Sequence, residues 1–359
     1  MRVLMILPHP VEGPSSRFRA YQFIPFLEAS GIEVAVRPFL SSQLMPQLYA
    51  SASIGKKLAF SAYGAVQRLA DVVRAARCDV VYILREAFPF GPPVLENLLS
   101  AAAGRLVFDF DDAIYTKSLA YDNPLDRLRD WNKTAKIIGK ARKVIAGSSY
   151  LAAYAHQFNT AENIHVLPTV VDPEVYLPEA GRANRCGVTI GWIGTPRGST
   201  YLKDLIPAFL RLSANRNDVK FVFVGAEPFD PKGLPIEFKS WSLDREASDI
   251  ASFDIGIMPL TDDEETRGKC GFKLVQYMSA RVVPVCSPVG TNMQIVQDGV
   301  TGLFARSTDE WADAIIRLAE QTDVRLRMGK AGRNTVINRF SLAYAAPRFR
   351  DILFTAAER

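Results

Sequence analysis

The sequence predicts an α/β protein with two domains, each containing a doubly wound parallel sheet. At 359 residues the chain is too long for one typical core and fits two domains of about 150 to 200 residues each. Apolar residues make up 48% of it and charged residues 23%, as in soluble globular proteins. Short β-branched runs alternate with helical patterns along the chain, and such alternation indicates βαβ units.

In the first half, six short apolar runs predict strands at residues 3–7, 33–38, 79–84, 106–110, 143–146 and 164–167. Apolar side chains at a spacing of about 3.6 residues predict a helix over 16–30. A stretch rich in proline and polar residues, 168–185, then predicts a linker.

A second alternation follows the linker, with strands predicted at 188–193, 220–224, 255–259, 282–286 and 302–305. Helices are predicted at 201–213, 271–279, 308–320, 324–339 and 342–357. We therefore expect one domain over 1–170, a second over 171–340, and a C-terminal helix in 341–359 that crosses back to the first domain.

Composition excludes several classes of protein. The four cysteines are scattered without a Cys-x-x-Cys pair, which argues against a zinc site or a disulfide framework and favours the reducing cytoplasm. Three separated histidines do not indicate a metal cluster. The first apolar run is too short for a signal peptide, and no run of 18 apolar residues predicts a membrane span.

The net charge of +5 lies entirely in residues 1–171. Within them, the span 45–77 carries five Lys and Arg residues against the single acid Asp71, among many apolar side chains. Two interpretations remain open: a basic amphipathic helix on an anionic membrane surface, such as the inner face, or a solvated helix face. No basic patch is interleaved with aromatic residues, so nucleic acid is not expected as a partner.

An anion site is predicted around Gly271. A helix that begins there leaves its first N–H groups without helical partners and carries a partial positive charge, which suits phosphate. Lys269 lies just before this turn and Lys273 just after it, so we expect both ammonium groups to reach a bound oxyanion. The alternative is an ordinary solvated loop with two lysines.

Two further loops follow predicted strands. The first contains Gly13 and leads into a helix with Ser15 or Ser16 as its N-cap and Arg17 in its first turn. The second, after IGWIGT, contains Gly194 and Thr195 and is followed by Arg197 and Lys203. Because neither a GxGxxG motif nor an acid at the end of the next strand is present, a nicotinamide enzyme is not expected.

Three carboxylates occur in the segment FDFDDAIY. By strand alternation, Asp109 and Asp111 point to one side and Asp112 to the other. Clustered carboxylates repel one another, which raises at least one pKa and allows a proton-accepting role. A cap on the following helix is the alternative.

Taken together, FDFDDAIY, VIAGSSYL, VLPTVVD, GWIGT, FVFVG, DIGIMPL, KCGFKLVQYMS and SPVGTNMQIVQDGVTGLFA resemble family 4 of the retaining glycosyltransferases. The resemblance implies the GT-B architecture, with two Rossmann-like domains facing across a cleft. It also implies metal-independent transfer of a sugar from a nucleotide diphosphate sugar, held by the second domain, to a sugar or lipid-linked acceptor held by the first. No cofactor is implied beyond this donor, and polysaccharide or glycolipid assembly is the expected context.

The resemblance and the patterns above together give a set of candidate site residues. Asp111, Asp112, Lys269 and Lys273 are the catalytic candidates. The candidates for substrate binding are Gly13, Arg17, Gly194, Thr195, Arg197, Lys203, Gly225, Gly271, Phe272 and Gln276.

The chain departs from the family's pattern of two glutamates around the phosphate-binding turn. Gly268 replaces the first, which contacts the donor sugar, and Glu264 or Glu265 is a candidate to supply that contact. Gln276 replaces the second, which holds the ribose, and its amide can still accept a hydrogen bond from a hydroxyl group.

Two other functions stay open. With both glutamates replaced, the chain can be a catalytically silent protein that binds a nucleotide sugar or a partner protein. Asp109-x-Asp111 also matches the metal-binding pair of the other glycosyltransferase fold, which predicts a metal-dependent transferase.

Overall fold

The computed structural model describes residues 1–44, 54–117, 124–177 and 187–358, and the chain divides into two compact units. The first unit comprises Met1–Thr169 and Ala345–Arg359, and the second comprises Val170–Tyr344. The C-terminal helix begins in the second unit and belongs to the first from Ala345 onward.

The first unit contains a six-stranded parallel sheet in the order β2-β1-β3-β4-β5-β6. Its strands are β1 (Arg2–Leu7), β2 (Glu33–Pro38), β3 (Val80–Leu84), β4 (Leu106–Phe110), β5 (Lys143–Ala146) and β6 (Ile164–Val166). Its helices are α1 (Pro14–Arg19), α2 (Ile24–Ala29), α3 (Ile54–Ala75), α4 (Val94–Ala103), α5 (Lys133–Ile138) and α6 (Ser149–Ala155). All six predicted strands are confirmed to within one residue at each end.

The predicted continuous helix over 16–30 is wrong. The chain forms α1, then a 3₁₀ turn at Tyr21–Phe23, then α2. Pro25 lies in the first turn of α2, where no helical hydrogen bond needs its N–H. Because proline cannot donate a hydrogen bond to a preceding turn, a helix does not continue through this position. The N-cap of α1 is Gly13, and the predicted caps Ser15 and Ser16 both lie inside the helix.

The second unit contains another six-stranded parallel sheet, in the order β12-β11-β10-β7-β8-β9. Its strands are β7 (Val188–Ile193), β8 (Val219–Val224), β9 (Ile236–Lys239), β10 (Ile255–Met258), β11 (Val283–Cys286) and β12 (Leu303–Phe304). Its helices are α7 (Ile206–Asn215), α8 (Glu246–Ala251), α9 (Glu264–Arg267), α10 (Phe272–Ser279), α11 (Asn292–Ile295), α12 (Thr308–Glu320) and α13 (Thr322–Arg339), and α14 (Leu342–Ala357) follows.

The five predicted strands of this unit are confirmed to within one residue, and the edge strand β9 was not predicted. The predicted helix over 201–213 is instead a 3₁₀ segment, Pro196–Leu205, followed by α7. Pro207 lies in the first turn of α7, so a helix cannot pass through this position from the preceding turn. The predicted α/β class with a doubly wound parallel sheet in each unit is confirmed.

The strand orders locate the point in each sheet where ligands commonly bind. Consecutive strands spread to opposite sides from β1 and β3 in the first sheet, and from β7 and β10 in the second. In doubly wound proteins the crevice lies beyond the carboxyl ends of these central strands. His9 and Arg85 follow β1 and β3 closely, and Gly194 follows β7.

One of the five basic residues in the segment over 45–77 is buried. Residues 45–53 lie outside the described part of the chain, and α3 covers residues 54–75. Arg68 is fully buried, where it pairs with Asp71 and donates to the carbonyl oxygens of Leu7 and Ala87. This arginine therefore holds α3 against the sheet and is part of no solvated or membrane-facing surface.

Within the described ranges, no helix is both long enough and apolar enough to cross a membrane. The described cysteines, Cys78, Cys270 and Cys286, are free thiols.

Candidate functional site

Two glycine turns meet at the carboxyl end of the second sheet. Gly194 follows β7, and Gly225, with φ of +74°, follows β8. A Cβ atom on Gly225 would lie 2.2 Å from the carbonyl oxygen of Gly194, and one on Gly194 would lie 2.9 Å from Cε of Lys273. Glycine is required at Gly225 because backbone approaches this closely, and at Gly194 because a Cβ atom would also lie 2.7 Å from the ring of Trp192.

Lys273 lies across the turn after β7. Its Nζ is 5.1 Å from the ring centroid of Trp192, a distance at which the ring face attracts a cation. A Cβ atom on Gly198 would be 3.9 Å from the same Nζ. The structure thus places the end of this lysine beside Trp192, Gly194 and Gly198.

The helix that carries Lys273 begins in the expected place. Gly271 is the N-cap of α10, with φ of +64°, and α10 starts at Phe272. Gly271 is buried, and a Cβ atom there would lie 2.6 Å from Cδ1 of Ile295. In this first turn the N–H of Leu274 donates to the carbonyl oxygen of Gly271 at 3.0 Å, and the start of α10 carries a partial positive charge.

Lys269 and Arg197 converge on one carboxylate. Glu265 Oε1 lies 3.0 Å from a guanidinium nitrogen of Arg197 and 3.3 Å from Nζ of Lys269. Glu265 was a candidate contact for a donor sugar, and in this structure it bridges two cations. Glu264, the other candidate, is exposed on α9.

Ion pairs join Arg197, Glu265 and Lys269, and Lys273 lies beside Gly198, the residue that follows Arg197. We call these four side chains the basic cluster. With one carboxylate against three cations, the basic cluster carries a net charge of +2, to which the start of α10 adds about half a charge. Lys203 lies exposed on the 3₁₀ segment Pro196–Leu205. The cluster is suited to an anion with two or more negative charges.

Gln276 belongs to a buried network in the same unit. Its amide nitrogen donates to the hydroxyl of Tyr176 and to Glu246 Oε1, each at 3.0 Å. Tyr176 donates to the same oxygen at 2.6 Å, and Trp241 donates to Glu246 Oε2 at 2.9 Å. Sequence reasoning missed these three partners because no motif or spacing links them to Gln276; the contacts exist only in the folded unit.

In the first unit, Asp109 serves a structural role. It is buried at the end of β4, pairs with Arg19 at 2.6 Å and accepts a hydrogen bond from Tyr82 at 2.7 Å. Burial raises the pKa of Asp109, and this effect outweighs the neighbouring Arg19 charge. The raised pKa predicted for this cluster therefore occurs, but its main cause is burial rather than repulsion between carboxylates.

Asp111 and Asp112 follow the strand and share one arginine. Arg85 donates to Asp111 Oδ1 at 2.5 Å and also to Asp112 Oδ2. Burial acts to raise the pKa of Asp111, but the charge and hydrogen bond of Arg85 outweigh it and the pKa lies below its ordinary value. The expectation of at least one raised pKa in this cluster thus holds for Asp109, and it fails for Asp111.

The alternation predicted for these carboxylates is wrong as well. Because β4 ends at Phe110, Asp111 lies in the turn rather than in the strand, and it faces Arg85 while Asp109 faces Arg19. The Asp109-x-Asp111 pair thus does not present two carboxylates to one point. Among the described residues, no group of three or more His, Cys, Asp and Glu side chains is placed to hold a metal ion.

Arg85 and His9 mark the crevice of the first sheet. Arg85 has φ of +60°, a strained conformation for a residue with a side chain. Burial, and then the charge of Arg85, lower the pKa of His9 to about 4, so its imidazole is neutral near pH 7. His9 was not among the predicted site residues; its position directly after the first strand was the available signal.

The predicted residues of the first loop lie beside His9. A Cβ atom on Gly13 would lie 2.3 Å from Cβ of His9, so only glycine fits there. Ser15 donates a hydrogen bond to Asp111, and the guanidinium of Arg17 lies 4.4 Å from the ring centroid of Phe18. Three connections therefore meet at the carboxyl edge of the first sheet: the loop after β1, the turn after β3 and the turn after β4.

The comparisons with known proteins agree with this architecture. Residues 187–321 match the model of the family described as glycosyl transferases group 1. A search of curated proteins found no match.

Solved structures match over nearly the whole chain. Anabaena Alr3699/HepE in complex with UDP-glucose is 16% identical with a TM-score of 0.70, over 99% of this chain and 100% of that one. A glycosyltransferase from Rickettsia africae ESF-5 is 14% identical with a TM-score of 0.71, over 100% and 99%. Sucrose-phosphate synthase from Thermosynechococcus elongatus is 15% identical with a TM-score of 0.71, over 99% of each chain. The chain therefore has the GT-B fold of glycosyltransferases, and its residues 187–321 match the group 1 family.

Proposed function

We propose that the chain is a retaining, metal-independent glycosyltransferase of family 4, which moves a hexose from a nucleoside diphosphate sugar to an acceptor. The single observation that carries the proposal is the basic cluster at the start of α10, at the switch point of the second sheet. The group 1 match over residues 187–321 and the resemblance to a structure that binds UDP-glucose support the same donor class.

The basic cluster accounts for activation of the donor. When the bond between the anomeric carbon and the diphosphate breaks, the diphosphate takes the bonding electron pair and gains negative charge. N–H groups at the start of α10 and the nearby Lys273 stabilise this charge more than the charge of the intact donor. Positive charge already fixed in the protein supplies what a divalent cation would otherwise supply.

We assign the acceptor to the first unit. Asp112 is the more accessible of the two catalytic carboxylates, with 37% of its side chain exposed against 4% for Asp111. Asp112 is therefore the carboxylate of this unit that accepts a proton from the hydroxyl group of a bound acceptor. Arg85 and Asp111 hold this carboxylate in place.

A panel of nucleoside diphosphates tests the proposal. Thermal shift and calorimetry in EDTA should show binding of at least one member, since a ligand bound to the folded state raises its stability. Donor consumption and NMR of the product should then show transfer with retained anomeric configuration. Binding without donor consumption would instead identify a silent binder, and activity that requires added Mg²⁺ or Mn²⁺ would identify a metal-dependent enzyme.

We further propose that α3 and α4 bring the first unit to an anionic membrane, in keeping with a lipid-linked acceptor in polysaccharide or glycolipid assembly and with a cytoplasmic, peripheral location. The outer face of α3 exposes Tyr63, Val66, Leu69 and Val73, at helical spacing. On α4, Val94 and Leu98 are exposed as well.

The charges on these helices favour a lipid surface with anionic head groups. The acids within α3 and α4 are Asp71 and Glu96, and both are buried. Arg74, with half of its side chain exposed, and the exposed Arg77 border the apolar face. A helical surface with an apolar centre and basic edges binds an anionic bilayer more favourably than it is solvated by water or binds a second basic protein surface.

Co-sedimentation with vesicles tests the membrane proposal. The protein should pellet with phosphatidylcholine vesicles that contain phosphatidylglycerol, and Val66→Glu with Val73→Glu should abolish this. Leu326→Glu, at an exposed apolar position on α13, is the matched control. Equal recovery with vesicles of phosphatidylcholine alone would contradict the proposal.

A further inference from the structure

The orientation of the Gln276 amide is fixed by its surroundings. Gln276 is 4% exposed, and its nitrogen donates to Tyr176 Oη and to Glu246 Oε1. An amide has two N–H groups and one carbonyl oxygen, so both donors are used. Rotation of the amide by 180° would place its carbonyl oxygen against a carboxylate oxygen, which repels it.

Glu246 is itself held by several donors. It is 7% exposed at the start of α8, and it accepts from Tyr176 and Gln276 through Oε1 and from Trp241 through Oε2. The donors on both oxygens of this carboxylate hold it in one position. The carboxylate therefore acts as a fixed anchor for the amide.

The backbone carbonyl oxygen of Gln276 accepts from the N–H of Ala280, and the side-chain oxygen Oε1 is the remaining acceptor of the network. It takes part in none of the hydrogen bonds found among residues 1–44, 54–117, 124–177 and 187–358. Gln276 follows Lys273 by about one turn of α10, roughly 5 Å along the helix axis. A ligand whose phosphate meets the start of α10 therefore has its next polar group near this oxygen.

We propose that Glu246 is a positioning residue for donor binding, which fixes the Gln276 carbonyl oxygen as the acceptor for a ribose hydroxyl group. The inference rests on the proposed function, since it assumes a nucleoside diphosphate at the basic cluster. In this arrangement the acidic residue needed for ribose binding, Glu246, lies on α8 and acts through the side-chain amide of Gln276 on α10.

Two substitutions and their combination separate this role from a structural one. In Glu246→Gln, a single amide carbonyl oxygen replaces the carboxylate that accepts from Tyr176, Trp241 and Gln276. The side-chain amide of Gln276 is then free to rotate. Gln276→Glu places two carboxylates at the present 3.0 Å separation and should lower the Tm by about 6 °C or more. The double swap, Glu246→Gln with Gln276→Glu, restores every partner. The amide now at position 246 accepts from Trp241 and donates to the carboxylate now at position 276, which also accepts from Tyr176.

The readout is discrimination between ribose and deoxyribose. UDP, ADP, GDP and CDP are titrated into the full-length protein in EDTA, and the tightest binder is compared with its 2′-deoxy and 3′-deoxy forms. Wild-type protein should bind the ribonucleotide about tenfold more tightly than at least one deoxy form, as expected for one hydrogen bond. The ratio of the Kd of the deoxy form to the Kd of the ribonucleotide should approach one in Glu246→Gln and should return to the wild-type value in the double swap.

Two further variants keep the test decisive when a substitution impairs folding. Trp241→Phe removes only the donor behind Glu246 and should reduce the ratio several-fold with a small change in Tm. Gln157→Glu, at an exposed glutamine of the first unit, is the matched control and should change neither quantity.

Different binding results would overturn the role of Glu246 and the proposed function. If wild-type protein binds a ribonucleoside diphosphate but does not discriminate against either deoxy form, Glu246 does not act on ribose. An unchanged ratio in both Glu246→Gln and Trp241→Phe has the same meaning. Absence of binding to all four ribonucleotides would instead overturn the proposed function itself.

Discussion

Replacing Lys273 by methionine tests the charge of the basic cluster with little change in packing. Methionine retains an unbranched stem that can lie against Gly194 and Trp192, as the lysine stem does. A unit charge about 4 Å from a phosphoryl oxygen contributes roughly 4 kcal/mol at an effective dielectric constant near 20. Lys273 is only partly buried, so solvent screening reduces this to about 2 to 3 kcal/mol, or roughly 30- to 150-fold in Kd.

Calorimetry in EDTA measures this effect directly. We expect Lys273→Met to weaken the binding of the nucleoside diphosphate by this factor and to leave binding of the nucleoside without phosphates unchanged. Lys220→Met removes a charge from an exposed position near the start of β8, at the opposite edge of the sheet, and should bind like wild type. Equal affinity of the diphosphate for Lys273→Met and Lys220→Met would refute the assignment of this lysine.

Three other changes have defined outcomes. Glu265→Gln removes the carboxylate that bridges two cations, so the Kd for a nucleoside diphosphate should fall about fivefold; a rise in Kd would show that Glu265 aids binding. Asp109→Asn leaves the buried Arg19 without its charged partner and should lower the free energy of unfolding by about 3 kcal/mol or more, as measured by urea titration. His9 has a folded pKa of about 4, below its ordinary 6.5, so its contribution to stability is present above pH 6.5 and is lost as pH falls toward 4. His9→Gln should therefore flatten the dependence of Tm on pH between 6.5 and 4, and an unchanged profile would contradict the burial of this group.

The strands were predictable because buried parallel strands are short, nearly continuous apolar runs. β9 was missed because its four residues, Ile236–Lys239, contain Glu237 and Lys239 and follow a segment rich in proline and glycine. As an edge strand it needs pairing to β8 alone, which leaves little apolar pattern in the sequence.

The glycine turn before α10 was predictable because glycine and the start of a helix leave a signal in the local sequence. The structure shows the geometry of this turn, whereas the functional roles of its residues remain predictions. By contrast, the partners of Gln276 and the arginines that engage Asp109 and Asp111 lie far away in the sequence. Local patterns do not reveal such contacts, since they arise only when helices and strands pack.

The most direct test of the central claim is a crystal structure of the protein with its nucleoside diphosphate, grown in EDTA. The claim predicts oxygens of the diphosphate within hydrogen-bond distance of N–H groups in the first turn of α10, and Nζ of Lys273 beside them. A diphosphate bound at another edge of the protein, with the start of α10 facing only water, would contradict it.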